Sequence, residues 1–295
     1  MEAATKRGLV DTIAAGFGTL NRRLFLLLLP IGLDILLWLG PKLSLKPLID
    51  AMIAANTAGG GVATPAPFPT EINLLGLLAF LMPSVIGFNV QDSTLAAPVQ
   101  PVADWGQAAL WGLGFIAAGI LFACLYLGVL AAQVRGESPA PGAVAGRTVL
   151  YWTQMATLLL LVIAGTAGVT LVAALFSGGN PGVMLALLSG PFLAGTFYLF
   201  YVQDALFVSR VSSVNALRYA LRIVRRSFWA ALGLFLVAQV IALGMGVIWT
   251  RLSSTPVGLA AAIVGNAYIA TGLVAAGMVF YYDRIKLIEQ EEQAS

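Results

Sequence analysis

Histidine is absent from this chain, and cysteine occurs once, as Cys124. Without histidine there is no bis-histidine haem, no histidine-ligated chlorophyll, no His-based zinc site and no serine–histidine hydrolase of the membrane interior. A single cysteine excludes an intramolecular disulfide, and its place inside an apolar run marks it as a small packing residue. Charge is scarce too: 10% of the 295 residues are Asp, Glu, Lys or Arg, against about 25% in soluble domains. A separate water-soluble catalytic domain therefore has no room. No basic patch with interleaved aromatics is present, so nucleic acid is not an expected partner. Also missing are a Gly-rich phosphate loop with its lysine, paired cysteines, a Gly-x-Ser-x-Gly elbow and the paired acidic motif of membrane phosphatidyl-alcohol transferases. The sequence implies no catalytic residue, no metal ligand and no cofactor.

What fills the chain instead is apolar. Six long runs cover Leu24–Gly40, Ala108–Val134, Val149–Phe176, Val183–Val208, Phe228–Thr250 and Val257–Tyr282. A hydrocarbon core of about 30 Å takes about 20 apolar residues as a helix, and a backbone in lipid must satisfy its own hydrogen bonds. The expected fold is all-α: a polytopic membrane helical bundle of six transmembrane helices forming one membrane domain over residues 1–295. Basic residues set the orientation. With the N-terminus cytoplasmic, 13 of the 16 Lys and Arg fall inside, leaving only Lys42, Lys46 and Arg251 outside. The location read from this bias is the bacterial inner membrane, multi-pass, with both termini cytoplasmic. The first run ends at Gly40-Pro41-Lys42 without a small-x-small cleavage site and reads as a retained anchor.

Residues 42–107 form the one long connection, extracytoplasmic in this topology. Gly59-Gly60-Gly61 and Pro65-Ala66-Pro67-Phe68-Pro69 punctuate it. The apolar stretch Leu74–Val90, broken by Pro83, is expected as an interfacial or re-entrant helix, since a seventh span would undo the charge bias. On the cytoplasmic side, residues 1–23 form an amphipathic lead. Residues 209–227 form a second interfacial helix, with an apolar stripe of Val211, Val214, Leu217, Leu221 and Val224. Its arginines Arg218, Arg222 and Arg225, with Arg226, are the candidate lipid-headgroup contacts. Membrane lipids with anionic headgroups are the expected partners, and partner membrane proteins are the other candidates.

A faint repeat accompanies this pattern. Val10-Asp11-Thr12-Ile13 and Asn21-Arg22-Arg23 correspond, at an offset of 204, to Val214-Asn215-Ala216-Leu217 and Arg225-Arg226-Ser227. A second offset of 79 relates Arg147 to Arg226 and Asp204 to Asp283. Three units, each an amphipathic helix followed by a two-span hairpin, would account for both offsets.

Mid-membrane polar groups are the other place to seek a site. Asp34, Gln239 and Asn266 are the candidate polar set, and Pro30 and Gly32 flank the acid. An unpaired charge at that depth is costly, so Asp34 is expected either to be hydrogen-bonded or to be reached by water. Asp204 and Asp283 each close a span behind aromatics of an interfacial belt; pairing with Arg147, Arg210 or Arg226 would be structural, and their spacing gives no evidence for a catalytic pair. Small-x-x-x-small pairs such as Gly128/Ala132, Ala164/Gly168, Gly190/Ala194 and Gly272/Ala276 argue for close helix packing.

Val214–Trp229, the span after it and the closing Phe280-Tyr281-Tyr282-Asp283-Arg284 resemble a known pattern. It is the six-helix membrane domain found alone in many uncharacterised bacterial proteins and fused to some glycerophosphodiester phosphodiesterases. The resemblance rests on Ala216, Ala220, Arg225, Ser227, Trp229 and the Tyr-Tyr-Asp ending, and covers the C-terminal third. Leu29-Pro30 and Asp34 through Pro41 are similar to a family of hypothetical bacterial membrane proteins. The resemblance implies a membrane-embedded helical fold and no activity, because the fused catalytic domain is absent. The expected function is a non-enzymatic structural or accessory membrane component. A small transporter using Asp34 is the alternative, and a lipid-handling enzyme the third reading.

Overall fold

The computed structural model describes residues 7–58, 72–85, 98–138, 140–178 and 180–294. Among these the chain is all-α apart from one short ribbon. The helices are α1 (Leu9–Asn21), α2 (Leu28–Leu39), α3 (Lys46–Ala58), α4 (Trp105–Val134), α5 (Pro141–Ser177), α6 (Pro181–Ser209), α7 (Ser213–Arg226), α8 (Phe228–Leu252) and α9 (Pro256–Ala294). Five of them, α4, α5, α6, α8 and α9, are long and apolar enough to cross a membrane. The protein is thus a multi-pass helical membrane protein.

The expected first span is shorter than the other five. Its apolar run folds as a 3-10 turn, Leu24–Leu27, followed by the 12-residue α2. At about 2.0 and 1.5 Å per residue these cover about 26 Å, and Gly40-Pro41 ends the helix. Elsewhere the ends follow their local chemistry. Gly178 at φ 57° closes α5 in the left-handed conformation. Asn180 then opens α6, its side-chain oxygen accepting from the N–H of Gly182 (3.0 Å) and Val183 (3.3 Å), with Pro181 at the first helical position.

Contacts divide the chain into two compact units. The first comprises Met1–Leu26, Cys124–Leu243 and Ile269–Ser295. In it α7 packs on α6 and α5, while α1 lies so close to α9 that a Cβ on Gly16 would meet the Ala276 backbone nitrogen at 2.5 Å. Buried hydroxyls are satisfied across helices. Tyr201 donates to the Ala231 carbonyl (2.7 Å), Tyr126 donates to Thr271 (2.7 Å), and the Tyr281 and Ser209 hydroxyls bond at 2.7 Å.

The repeat at offset 204 has a structural counterpart in this unit. Shifted by 204, α1 falls on 213–225, against Ser213–Arg226 for α7. Its buried residues Thr12, Gly16 and Leu20 fall on Ala216, Ala220 and Val224, all buried. The two helices thus share a buried register, α1 packed on α9 and α7 on α6 and α5.

The second unit comprises Leu27–Ala123 and Gly244–Tyr268. Here the long connection is organised rather than slack. Strand β1 (Lys42–Ser44) pairs in parallel with β2 (Val99–Pro101), Lys42 opposite Val99. Asn73 ties the arrangement together, its side-chain oxygen accepting from the N–H of Leu43 (3.0 Å) and Leu75 (3.1 Å). Leu74, Val102 and Ala108 form a small core with Leu43, Leu48, Leu77 and Phe115 packed on it. The expected helix over 74–90 is replaced, as far as Val85, by a 3-10 helix (Leu74–Ala79) and a bend with Leu81 at φ 68°. Pro83 deprives the stretch of a donor and disfavours helix before it; residues 86–90 lie outside the described residues. Gly119 lets the Leu77 and Leu78 carbonyls approach α4, where a Cβ would meet them at 2.7 and 2.8 Å.

Candidate functional site

Asp34 sits on α2 and is fully buried. Its carboxylate accepts a short hydrogen bond from the Ser84 hydroxyl. The Val85 N–H donates to both oxygens, at 3.1 and 3.3 Å. The acid therefore clamps the bend around Pro83 onto the first apolar run. The other two members of the expected polar set are not joined to it by any hydrogen bond. Asn266, on α9 in the same unit, is buried, and Gln239, on α8 in the other unit, is half-buried. Neither side chain makes a hydrogen bond among the described residues.

Helix α7 forms where the 3.6-residue period places it. The buried stripe is Ser213, Ala216, Ala220, Ile223 and Val224. Val214 and Leu217, expected with Val224 on one apolar stripe, are 52% and 42% exposed. Small residues win the protein-facing side because between apolar helices close backbone approach is the available gain. Val214 and Leu217 are left facing outward, continued by Trp229 at 81% exposure, while Ile223 and Val224 are buried.

The four candidate headgroup arginines divide. Arg222 pairs with Glu292 at 3.2 Å and Arg226 with Glu291 at 3.1 Å, tying α7 to the end of α9. Arg218 and Arg225 have no carboxylate partner among the described residues and remain exposed. These two, beside the outward Val214 and Leu217, have the chemistry of a helix lying at a charged interface.

The densest polar cluster is one the sequence pattern did not single out. Glu137, in the α4–α5 connection, is ringed by Arg135 (3.0 Å), Arg147 (3.9 Å) and Arg210. Arg135 also donates to the carbonyl oxygens of Phe207 (2.8 Å) and Val208 (3.2 Å) near the end of α6. Gly136 at φ 75° makes the tight turn that brings Glu137 back onto Arg135. The hydrogen bond from Arg135, reinforced by the Arg210 charge, holds the Glu137 carboxyl below its ordinary pKa. The only sequence signal was Arg135-Gly136-Glu137 itself, too short to distinguish from a solvated loop.

Arg147, Arg210 and Arg226 are therefore taken up by Glu137 and Glu291, and Asp204 pairs with none of them. Asp204 is 4% exposed, and its Oδ2 has no hydrogen-bond partner among the described residues. It lies against Gly277 of α9, where a Cβ would come within 2.9 Å of that oxygen. Asp283 pairs instead with Arg7 at 3.4 Å. No group of three metal-ligating side chains occurs among the described residues.

The small-residue pairs also divide. Gly128 takes the Tyr151 ring and Gly272 the Phe17 ring, whereas Gly168 on α5 and Gly190 on α6 have nothing within 4 Å of a would-be Cβ. No family model, curated protein or solved structure matches the chain, so its function is read from these residues.

Proposed function

We propose that this is a non-enzymatic structural or accessory protein of the bacterial inner membrane, packing through α5 and α6 against lipid or a partner membrane protein. One observation carries the reading. In the most apolar 18-residue stretch of α5 only 11% is buried, and in α6 only 6%, against 50% in α4 and α9. Those stretches of the two helices are nearly bare, and their small-residue stripes at Gly168 and Gly190 are open to a neighbour. The satisfied, enclosed carboxylate of Asp34 is that of a structural clamp, which favours this reading over transport through Asp34.

Both termini are cytoplasmic in this proposal, and the first apolar run is a short sixth crossing. Its two ends support that. Arg23 donates to Ser138 just past α4 (3.4 Å), and Lys42 pairs with Val99 just before α4. Cysteines placed at Asn180 or Ser254, both exposed, in a background lacking Cys124, react with impermeant reagents from outside, and one at Ser138 does not. Labelling of Ser138 in intact cells would sink this orientation.

The functional test is photocrosslinking from Leu171 and Leu185 in native membranes, followed by native mass spectrometry. Adducts to a discrete membrane protein or to lipid support the proposal. Ion or solute uptake in liposomes that Asp34→Asn abolishes overturns it. A transporter remains the second reading on one observation, the buried and unpartnered Asp204 oxygen; uptake lost in Asp204→Asn but kept in Asp34→Asn would establish it.

A further inference from the structure

A groove of about 440 Å³ opens between the C-terminal end of α4, the start of α5 and the segment after α1. That size falls in the range of ligand pockets, about 300–1,000 Å³. Its chemistry is graded along its length. Leu125, Val129 and Gln133 follow one another at four-residue steps on α4, so they line it over about 12 Å. Val144, Ala145 and Phe25 add to the apolar wall, and the polar groups gather at one end: Arg23, Ser138 and Gln133.

That end is positive. No carboxylate lines the groove. The nearest acid in sequence, Glu137, is already bound by three arginines, so the group of four carries 3 − 1 = +2 charges. Pro141, the first residue of α5, also lines the groove, so the positive end of that helix dipole adds to the same mouth. The Arg23–Ser138 hydrogen bond, at 3.4 Å, is long, and an anion accepting from both groups would replace it at little cost. Phe25, half exposed beside the opening, presents a ring of the kind found at headgroup depth.

We propose that this groove binds one anionic phospholipid of the Arg23-side leaflet, its phosphate held by Arg23 and Ser138 and an acyl chain laid along Val129 and Leu125. The site uses only the first residues of α5, Pro141 to Ala145, and does not depend on the role of Gly168 and Gly190.

The test uses the full chain in nanodiscs of phosphatidylglycerol and phosphatidylcholine, with bound lipid read by native mass spectrometry. The wild type retains one phosphatidylglycerol preferentially. Arg23→Gln lowers that preference by roughly tenfold, the weight of one charge-assisted contact. Ala145→Trp, at an exposed position, fills the groove and removes the retained lipid while the melting temperature stays unchanged. Arg218→Gln with Arg225→Gln leaves it in place. Equal retention by the wild type and Ala145→Trp overturns the site, as does loss of the preference only in the Arg218/Arg225 variant. Should Ala145→Trp melt early, a photoactivatable phosphatidylglycerol decides: adducts on residues 125–145 support the site, and adducts spread evenly over the helices refute it.

Discussion

Helices α1 and α7 bury matching positions, Thr12, Gly16 and Leu20 in one and Ala216, Ala220 and Val224 in the other, yet their outer faces share almost nothing. Where α7 carries Arg218, Arg222 and Arg225, α1 has Ala14, Gly18 and Asn21. Only Arg226 has a basic counterpart, Arg22. The buried stripe is what packing on α9 or on α6 demands, because small side chains let two helices approach. The arginine stripe answers no such demand, since α1 packs without one. That difference separates two kinds of position within one chain: the shared ones hold the helices in place, and of the unshared ones Arg222 ties α7 to Glu292 while Arg218 and Arg225 stay exposed.

The comparison breaks first at the buried stripe. Gly16→Leu drives a side chain into the Ala276 backbone, and Ala220→Leu overfills the matching seat. Each should lower stability by about 1–3 kcal/mol, the usual cost of overpacking. Ala14→Leu, exposed on α1, should stay within about 0.5 kcal/mol. Thermal unfolding in detergent measures all three; equal losses at Gly16 and Ala14 would show that the α1–α9 contact is not close.

Next comes the arginine stripe. Arg218→Gln with Arg225→Gln should weaken enrichment of anionic lipid around the protein by about 2 kcal/mol, at about 1 kcal/mol per arginine near an anionic surface. Ala14→Arg with Gly18→Arg on α1 should sharpen the contrast by adding lipid enrichment to a helix that lacks it. Lipid-composition analysis of mixed nanodiscs reads both changes.

A smaller effect concerns Glu137, whose folded pKa lies below the ordinary value because Arg135 and Arg210 bind its ionised form. Its contribution is complete above the ordinary carboxylate pKa and disappears as pH falls through the lowered, folded one. Acid melting of the wild type should therefore show a loss of stability, below the usual carboxylate range, that Glu137→Gln lacks. The least change is expected at the α7–α9 ties. Glu292→Gln removes an exposed partner of Arg222 and should cost less than about 1 kcal/mol. Freed of that carboxylate, Arg222 should then join Arg218 and Arg225 in attracting anionic lipid.

Most of the framework was legible beforehand because membrane helices announce themselves by length. The runs at Ala108–Val134 and Phe228–Thr250 became α4 and α8 with boundaries a few residues away. Period alone gave α7 its helical state but not its inward face. Of the apolar stripe, Val214 and Leu217 face out, while Val224 packs inward with Ala216, Ala220 and Ile223. The β1–β2 ribbon was invisible, being three residues to a strand with no alternation to read. Asp34 was found by its depth, but its partners Ser84 and Val85 lie some fifty positions on, beyond reach of any local pattern.

By itself, the sequence determined that this is a helical multi-pass membrane protein, because hydrophobic length is a one-dimensional quantity. Tertiary structure decided which polar groups are used up: Asp34 by Ser84 and Val85, Glu137 by three arginines, Arg222 and Arg226 by the end of α9. It left Arg218, Arg225, Asp204 and the mouth at Arg23 with bonding capacity to spare. Pairing depends on three-dimensional proximity between distant residues, which composition and period do not encode.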